Sequence, residues 1–180
     1  HIYKNINFSR ITVRNNHAIT ETLALLLIPC WFPFLSNSSK MKTDGKNWFE
    51  EEIEYQIYSD GGYLQYSHNY HRVVVQLLTW ALLQEKKGSF NFSRIVKENA
   101  SKSFDLLSLL LQNENGWLPN YGANDGALFF PLNNCHYRDY RPQLQALGLL
   151  LDKPSPFKLL EDSNWYCLDY FHQDNGNNPI

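Results

Sequence analysis

The stretch NYHRVVVQLLTWALLQE, residues 69–85, decides the fold class. Tyr70, Val73, Val74, Leu77 and Ala81 recur at spacings of three and four, which predicts one apolar face on a helix from about Asn69 to Glu85. Strand-like alternation is scarce elsewhere, so the expectation is all-α. Towards the N-terminus, NNHAITETLALLL (15–27) predicts a helix from about Asn16 to Ile28, apolar on nearly every side and so buried on both faces. Asn15 and Asn16 suit a cap, since their side chains accept bonds from first-turn N–H groups. Pro29 and Pro33 are expected to end this helix. After the polar loop SNSSK, a second helix is expected from about Gly45 to Ile57. YSDGGYLQYSHN then reads as a loop, with Asp60-Gly61-Gly62 as its turn.

Towards the C-terminus, Val96, Ala100, Phe104, Leu107 and Leu111 form one stripe of a helix from about Phe92 to Gln112. A short helix is expected near Gln143–Leu151, with one or two more between Pro156 and Phe171. The tail QDNGNNPI, residues 173–180, is polar and expected to fray. No fixed-period repeat is visible. Helices apolar on two sides call for stacked antiparallel hairpins, for which a closed (α/α) toroid and an open solenoid are both suitable.

Composition narrows the function classes. A length of 180 residues with 43% hydrophobic and 19% charged residues suits one domain, or a piece of one, with a real core. A formal net charge of -2 gives no global attraction for a polyanion, and no nucleic-acid partner is expected. Any acidic ligand must be met by a local cluster. The longest apolar stretch, Leu23–Leu35, is shorter than the ~20 residues a membrane-spanning helix needs, and two prolines interrupt it. The three cysteines, Cys30, Cys135 and Cys167, are far apart, so neither a zinc site nor a disulfide framework is indicated, and no cofactor is expected. HIYKN has neither an initiator Met nor signal-peptide character, so a fragment of a longer protein is expected.

Aromatic content is high at 15%, including 5 Trp and 11 Tyr, which suits sugar-lined clefts as well as cores. Much of it lies in one loop, NENGWLPNYGANDGALFFPLNNCHYRDYRP (113–142). Loops this long inside a domain are functional or disordered. Trp117, Tyr121, Phe129, Phe130, Tyr137 and Tyr140 would be costly to leave in water, which favours a structured loop at the mouth of a cleft. Asn120, Asn124, Asp125, Arg138, Asp139 and Arg141 supply its polar groups. A plainer reading makes YRDYRP a local ion-pair cluster, with Asp139 between two arginines, and NDGA an Asx-type turn.

Three segments together resemble the heparinase II/III family of polysaccharide lyases: NNHAITETLALLL, DGGYLQYSHNYHRVVVQLL (60–78), and LPNYGANDGALFFPL (118–132) with YRDYRP (137–142). The resemblance covers about Val13 to Leu151. It implies an incomplete (α/α) toroid over residues 1–172, with upstream helices and a downstream antiparallel β-sandwich domain outside this segment. The family draws a further catalytic histidine from beyond this part of the toroid. The implied location is periplasmic or secreted in a bacterium, and the implied partner is an acidic polysaccharide.

Such a lyase removes the C5 proton of a uronic acid and expels the O4-linked sugar. Charge builds on the adjacent carboxylate as the proton leaves, and an amide donating to it stabilises that charge. Asn16 resembles the family's charge-neutralising asparagine. His17 could donate to the same carboxylate, act as a base, or serve only as a structural hydrogen-bonder. Tyr70, by position alone a core aromatic, resembles the family tyrosine that protonates the leaving oxygen and, in syn elimination, first takes the C5 proton. With an ordinary pKa of about 10, it needs nearby positive charge to act as a base. His71, Arg72, Tyr121, Asn124, Asp125, Arg138 and Arg141 are the expected substrate-binding residues, the arginines because guanidinium pairs bidentately with carboxylate or sulfate. Loops 58–69 and 113–142 are expected to open on the same side as Asn16. Two other classes remain. A glycoside hydrolase would use Asp60 and Asp125 as its carboxylate pair. A non-catalytic carbohydrate-binding or surface-polysaccharide assembly module would bind without turnover.

Overall fold

The computed structural model describes residues 1–131 and 133–157, and the regular secondary structure among them is helical, with isolated β-bridges at Ile57–Tyr63 and Trp117–Asp139. The helices are α1 (Ile2–Asn7), continuing as a π-helical segment (Phe8–Val13), α2 (Asn16–Trp31), α3 (Ser38–Gln56), α4 (His68–Lys86), α5 (Arg94–Leu110) and α6 (Arg141–Leu150). The expected helices between Pro156 and Phe171, the boundary at 172, the polar tail and Cys167 lie outside the described residues.

Four of the expected helices recur with small shifts at their ends, and α3 starts seven residues early. Its first two turns, SSKMKTD, carry no apolar period. They are held instead by Lys40 paired with Asp44 at 2.5 Å and by the Tyr3 hydroxyl donating to Asp44 at 2.6 Å. Pro29 does not end α2, which runs on to Trp31. A proline this close to a C-terminus removes one backbone bond and leaves few others to disturb. The N-terminal α1 and π segment were not foreseen. Arg14 N closes the π segment on Ser9 O at 2.7 Å, an i→i−5 bond.

α2, α4 and α6 pack side by side in one row, and α3 and α5 form a second row behind them. Ile19, Leu26, Phe49, Ile53, Leu78, Val96, Leu107 and Leu147 fill the space between the rows, each at most 1% exposed. Gly45 sets the α2–α3 approach: a Cβ there would lie 2.5 Å from Leu26 N. α2 is buried nearly all round, as its composition predicts. Each row is parallel within itself and antiparallel to the other. The starts of α2, α4 and α6 therefore gather at one end of the stack, where Gln56 at the close of α3 donates to Asn15 O at 3.0 Å. The two loops following α3 and α5 meet at this end too. An apolar groove of about 280 Å³ lies between α2 and α4, with Trp80 stacked on Phe130 at 4.6 Å.

Candidate functional site

The site is built on two capped helix starts. Asn15, extended at φ −137°, accepts from His17 N at 2.9 Å and so caps α2. Asn16 becomes the first helical residue and is 9% exposed; its N–H donates to Gln65 Oε1 at 3.2 Å, while its side-chain Oδ1 has no partner. His17 is exposed on the neighbouring face.

Beneath Asn16 runs a polar spine that sequence reasoning missed. The Tyr63 hydroxyl reaches Gln65 Oε1 at 2.8 Å and Gln56 Oε1 at 3.2 Å. Gln56 Nε2 donates to Glu52 Oε2 at 3.0 Å, and Glu52, fully buried, is paired with Arg10 and Arg14 at 3.4 Å each. Burial pushes the Tyr63 phenol well above its ordinary range, so it remains a neutral donor. The available signal was Glu52 and Gln56, four residues apart on the face of α3 that also carries Phe49 and Ile53. Polar side chains at core spacing must find partners.

Ser67 caps α4, accepting from Tyr70 N at 3.2 Å, and its hydroxyl donates to Ala123 O at 2.5 Å. His68 N donates to Tyr121 O at 3.1 Å, and His68 Nδ1 lies 2.7 Å from Pro119 O. These contacts zip the 57–67 loop to the long loop. Gly122, at φ 76°, permits a close approach, since a Cβ there would clash with Tyr66 O.

The zip brings Tyr70 to Asp125. The phenol donates to Asp125 Oδ2 at 2.6 Å, and Asp125 Oδ1 accepts from Ala127 N at 3.0 Å. The carboxylate raises the Tyr70 pKa, and the phenol's hydrogen bond lowers that of Asp125. Tyr70 is thus a neutral proton donor here. The positive charge a basic tyrosine needs is not what the structure sets beside it.

Three of the other expected residues, His71, Arg72 and Arg141, are committed below the loop. Arg72 is 1% exposed; it donates to Tyr137 O and to Asn69 Oδ1 (2.9 Å), and its guanidinium lies 4.4 Å from the Tyr137 ring and 4.5 Å from that of Tyr140. His71 is 2% exposed beneath the Tyr63 ring, with its pKa lowered by burial to about 3, so it is neutral. Arg141 grips Asp139 in a two-pronged pair at 2.9 and 2.6 Å, the ion-pair staple of the plainer reading. Arg138 does not join that pair; its guanidinium lies 4.3 Å over Trp117. Asn124 Oδ1 accepts from the Tyr137 hydroxyl at 2.9 Å, and Tyr121 is exposed beside His68. The structure therefore gathers Asn16, Tyr70, Tyr121, Asn124 and Asp125 around the joined loops, with His71, Arg72 and Arg141 committed below. Among the described residues, no group of three His, Cys, Asp or Glu side chains could hold a metal, and no helix is long and apolar enough to cross a membrane.

In comparisons with known proteins, the family described as "Heparinase II/III N-terminus" matches residues 2–98, more than half of the chain. No curated protein and no solved structure matches.

Proposed function

The chain belongs to the heparinase II/III N-terminal family, a family of polysaccharide lyases, and from that premise we propose that it forms the helical part of an enzyme cleaving a uronic-acid polysaccharide by β-elimination. The observation that supports this best is the surface-held Tyr70 hydroxyl at the loop junction, with Asn16 on the same end of the stack. In this reading the two helical rows are an arc of an (α/α) toroid, and a β-sandwich domain outside the segment supplies a further histidine. The protein acts outside the bacterial cytoplasm, in the periplasm or beyond.

Asn16 donates to the uronate carboxylate as negative charge grows on it, with His17 beside it on the exposed face. A base takes the C5 proton, electrons move into the C4–C5 double bond, and the C4–O bond breaks. Tyr70 gives its proton to the departing oxygen. A phenol has a single proton, and Asp125 holds it in the free protein, so the leaving oxygen must replace Asp125 as acceptor. Tyr121, Asn124 and Arg138 border the path of the sugar chain. His71, Arg72 and Arg141 act from below by fixing the loop.

Elimination leaves a conjugated double bond in the new non-reducing sugar. Digestion of uronic-acid polysaccharides by the full-length protein, followed by ultraviolet absorbance and reducing ends, tests the proposal. New reducing ends without new absorbance would establish hydrolysis instead, and tight binding without either would establish a binding module.

A further inference from the structure

Beside the Tyr70 junction, the turn following α3 encloses a second concavity of about 160 Å³. Its walls include Tyr58, Tyr66, Tyr121 and His68, with Asp60 at the turn and His71 among the lining residues. The three tyrosines are 37%, 60% and 56% exposed. Aromatic rings left this open in a cluster are costly in water unless a ligand covers them.

The cluster is rigidly framed. Tyr58 N donates to Gly62 O at 2.8 Å and Gly61 N to Tyr58 O at 3.0 Å, closing the turn. Tyr66 sits at φ 50°, a left-handed conformation that a bulky side chain rarely adopts. Its ring lies 6.0 Å from that of Tyr58 with the hydroxyls 3.4 Å apart, and the Tyr121 ring lies 5.6 Å from His68. Strain at a non-glycine residue held by surrounding contacts is a feature of ligand clamps. A second observation is independent of the tyrosines: His71 is 2% exposed, and its Nε2 has no hydrogen-bond partner. A buried polar atom without a partner is a site for a ligand group or an ordered water.

The chemistry of the walls selects the occupant. No lysine or arginine lines the pocket, and the Asp60 carboxylate does. Asp60 Oδ1 accepts from Gly62 N at 2.8 Å, and Oδ2 accepts no hydrogen bond among the described residues. A negatively charged sugar would be repelled. An uncharged pyranose offers C–H faces for the tyrosine rings and hydroxyl donors for Oδ2.

We propose that the pocket walled by Tyr58, Tyr66 and Tyr121, with Asp60 at its turn, is a binding site for one uncharged sugar unit, adjoining the Tyr70–Asn16 site at Tyr121. The proposal rests on the reading of the protein as one that handles polysaccharide. It makes the recognised chain a mixed one, with an acidic unit at Tyr70 and a neutral unit beside it.

The test is direct binding to the full chain, with cellobiose, maltose and N,N′-diacetylchitobiose as neutral probes and glucuronic acid as the acidic one. Tyrosine-ring resonances, assigned through single Tyr→Phe variants, supply the readout. At least one neutral disaccharide should shift Tyr58, Tyr66 and Tyr121 saturably at millimolar concentration, while glucuronic acid leaves Tyr58 and Tyr66 unmoved. Tyr66→Ala and Tyr121→Ala should each weaken that binding about tenfold or more, with unchanged far-ultraviolet circular dichroism. Asp60→Asn, which removes the repulsion, should let glucuronic acid in. Saturation by none of the neutral probes would overturn the proposal, as would glucuronic acid shifting Tyr58 and Tyr66 equally well in the unaltered protein, or shifts confined to Tyr70. Neutral-sugar binding in a protein that never forms the double bond would overturn the lyase reading and leave this site standing.

Discussion

The hydroxyl of Tyr70 reaches Asp125 Oδ2 across 2.6 Å, joining the first turn of α4 to a loop 55 residues further along the chain. The carboxylate raises the pKa of the phenol and the phenol lowers that of the carboxylate. Tyr70 therefore remains protonated above the ordinary tyrosine value of about 10. Asp125→Asn removes the charge and should return Tyr70 to that value, read from its ring resonance during a pH titration. In the full-length enzyme the alkaline limb of kcat/KM, which reports the free enzyme, should move down with it. An unmoved limb would separate Tyr70 from the proton transfer.

The same pair sets the direction of two stability changes. Tyr70 has a raised folded pKa, so its contribution is complete below pH about 10 and is lost as pH rises through the folded value. Asp125 has a lowered folded pKa, so its contribution is present above about pH 4 and is lost as pH falls through its folded value. Urea midpoints for Asp125→Asn should show a reduced dependence on pH at both ends compared with the parent.

Tyr70→Phe deletes one hydroxyl and keeps the ring. Stability should change little, while elimination slows by about 10²-fold or more, the usual scale for losing a general acid. Unfolding of the variant with unchanged activity per folded molecule would make Tyr70 a packing residue.

Asn16→Ala should slow elimination by a factor of about 10²–10³, since it withdraws a donor from the growing charge. Its backbone bond to Gln65 and the Asn15 cap persist in the variant, so the thermal midpoint should fall by only a few degrees. A slow step that recovers with a neutral or esterified substrate would tie the loss to the carboxylate.

Arg72→Met keeps much of the side-chain volume but strips the donors from Tyr137 O and Asn69 Oδ1. Asn69 Oδ1 keeps the Tyr137 hydroxyl at 2.7 Å, so a loss of about 1–3 kcal/mol is expected in urea unfolding, the scale of one acceptor left without its partner. Faster amide exchange should spread through residues 133–140. An Arg72→Met protein with parental stability would show that the other loop contacts, the Arg141–Asp139 pair among them, hold the loop.

The sequence made α4 and α5 legible because their apolar residues recur at helical spacing, and α2 because a long apolar run follows Asn15, singled out as a cap because amides before such a run have few other uses. It also brought Asn16 and Tyr70 to one end of the stack. What stayed hidden was mostly long-range. Asn16 meets Gln65, 49 residues away, and Arg72 meets Tyr137, 65 residues away. Nothing local in NYHR distinguishes a guanidinium aimed at ligand from one sealed between two rings. The early start of α3 was illegible for a different reason: its first turns rest on an ion pair and on a tyrosine from α1, neither of which leaves an apolar period.

The parallel packing of α2, α4 and α6 has an electrostatic consequence. Each helix dipole places roughly half a positive charge at its N-terminus, and three such termini converge where Asn16, Tyr70 and Arg141 stand. None of the three carries an acidic residue in its first turn, and the caps from Asn15 and Ser67 are neutral, but at α6 the Asp139 carboxylate accepts from Arg141 N at 3.0 Å and offsets that terminus. A chain of net charge -2 thus carries a local positive potential at the starts of α2 and α4, partly offset by the Asp125 carboxylate beside Tyr70. That field is screened over a Debye length of about 8 Å at physiological salt. Capture of an acidic polymer should accordingly slow as salt rises, while the chemical step, once the polymer is bound, should not.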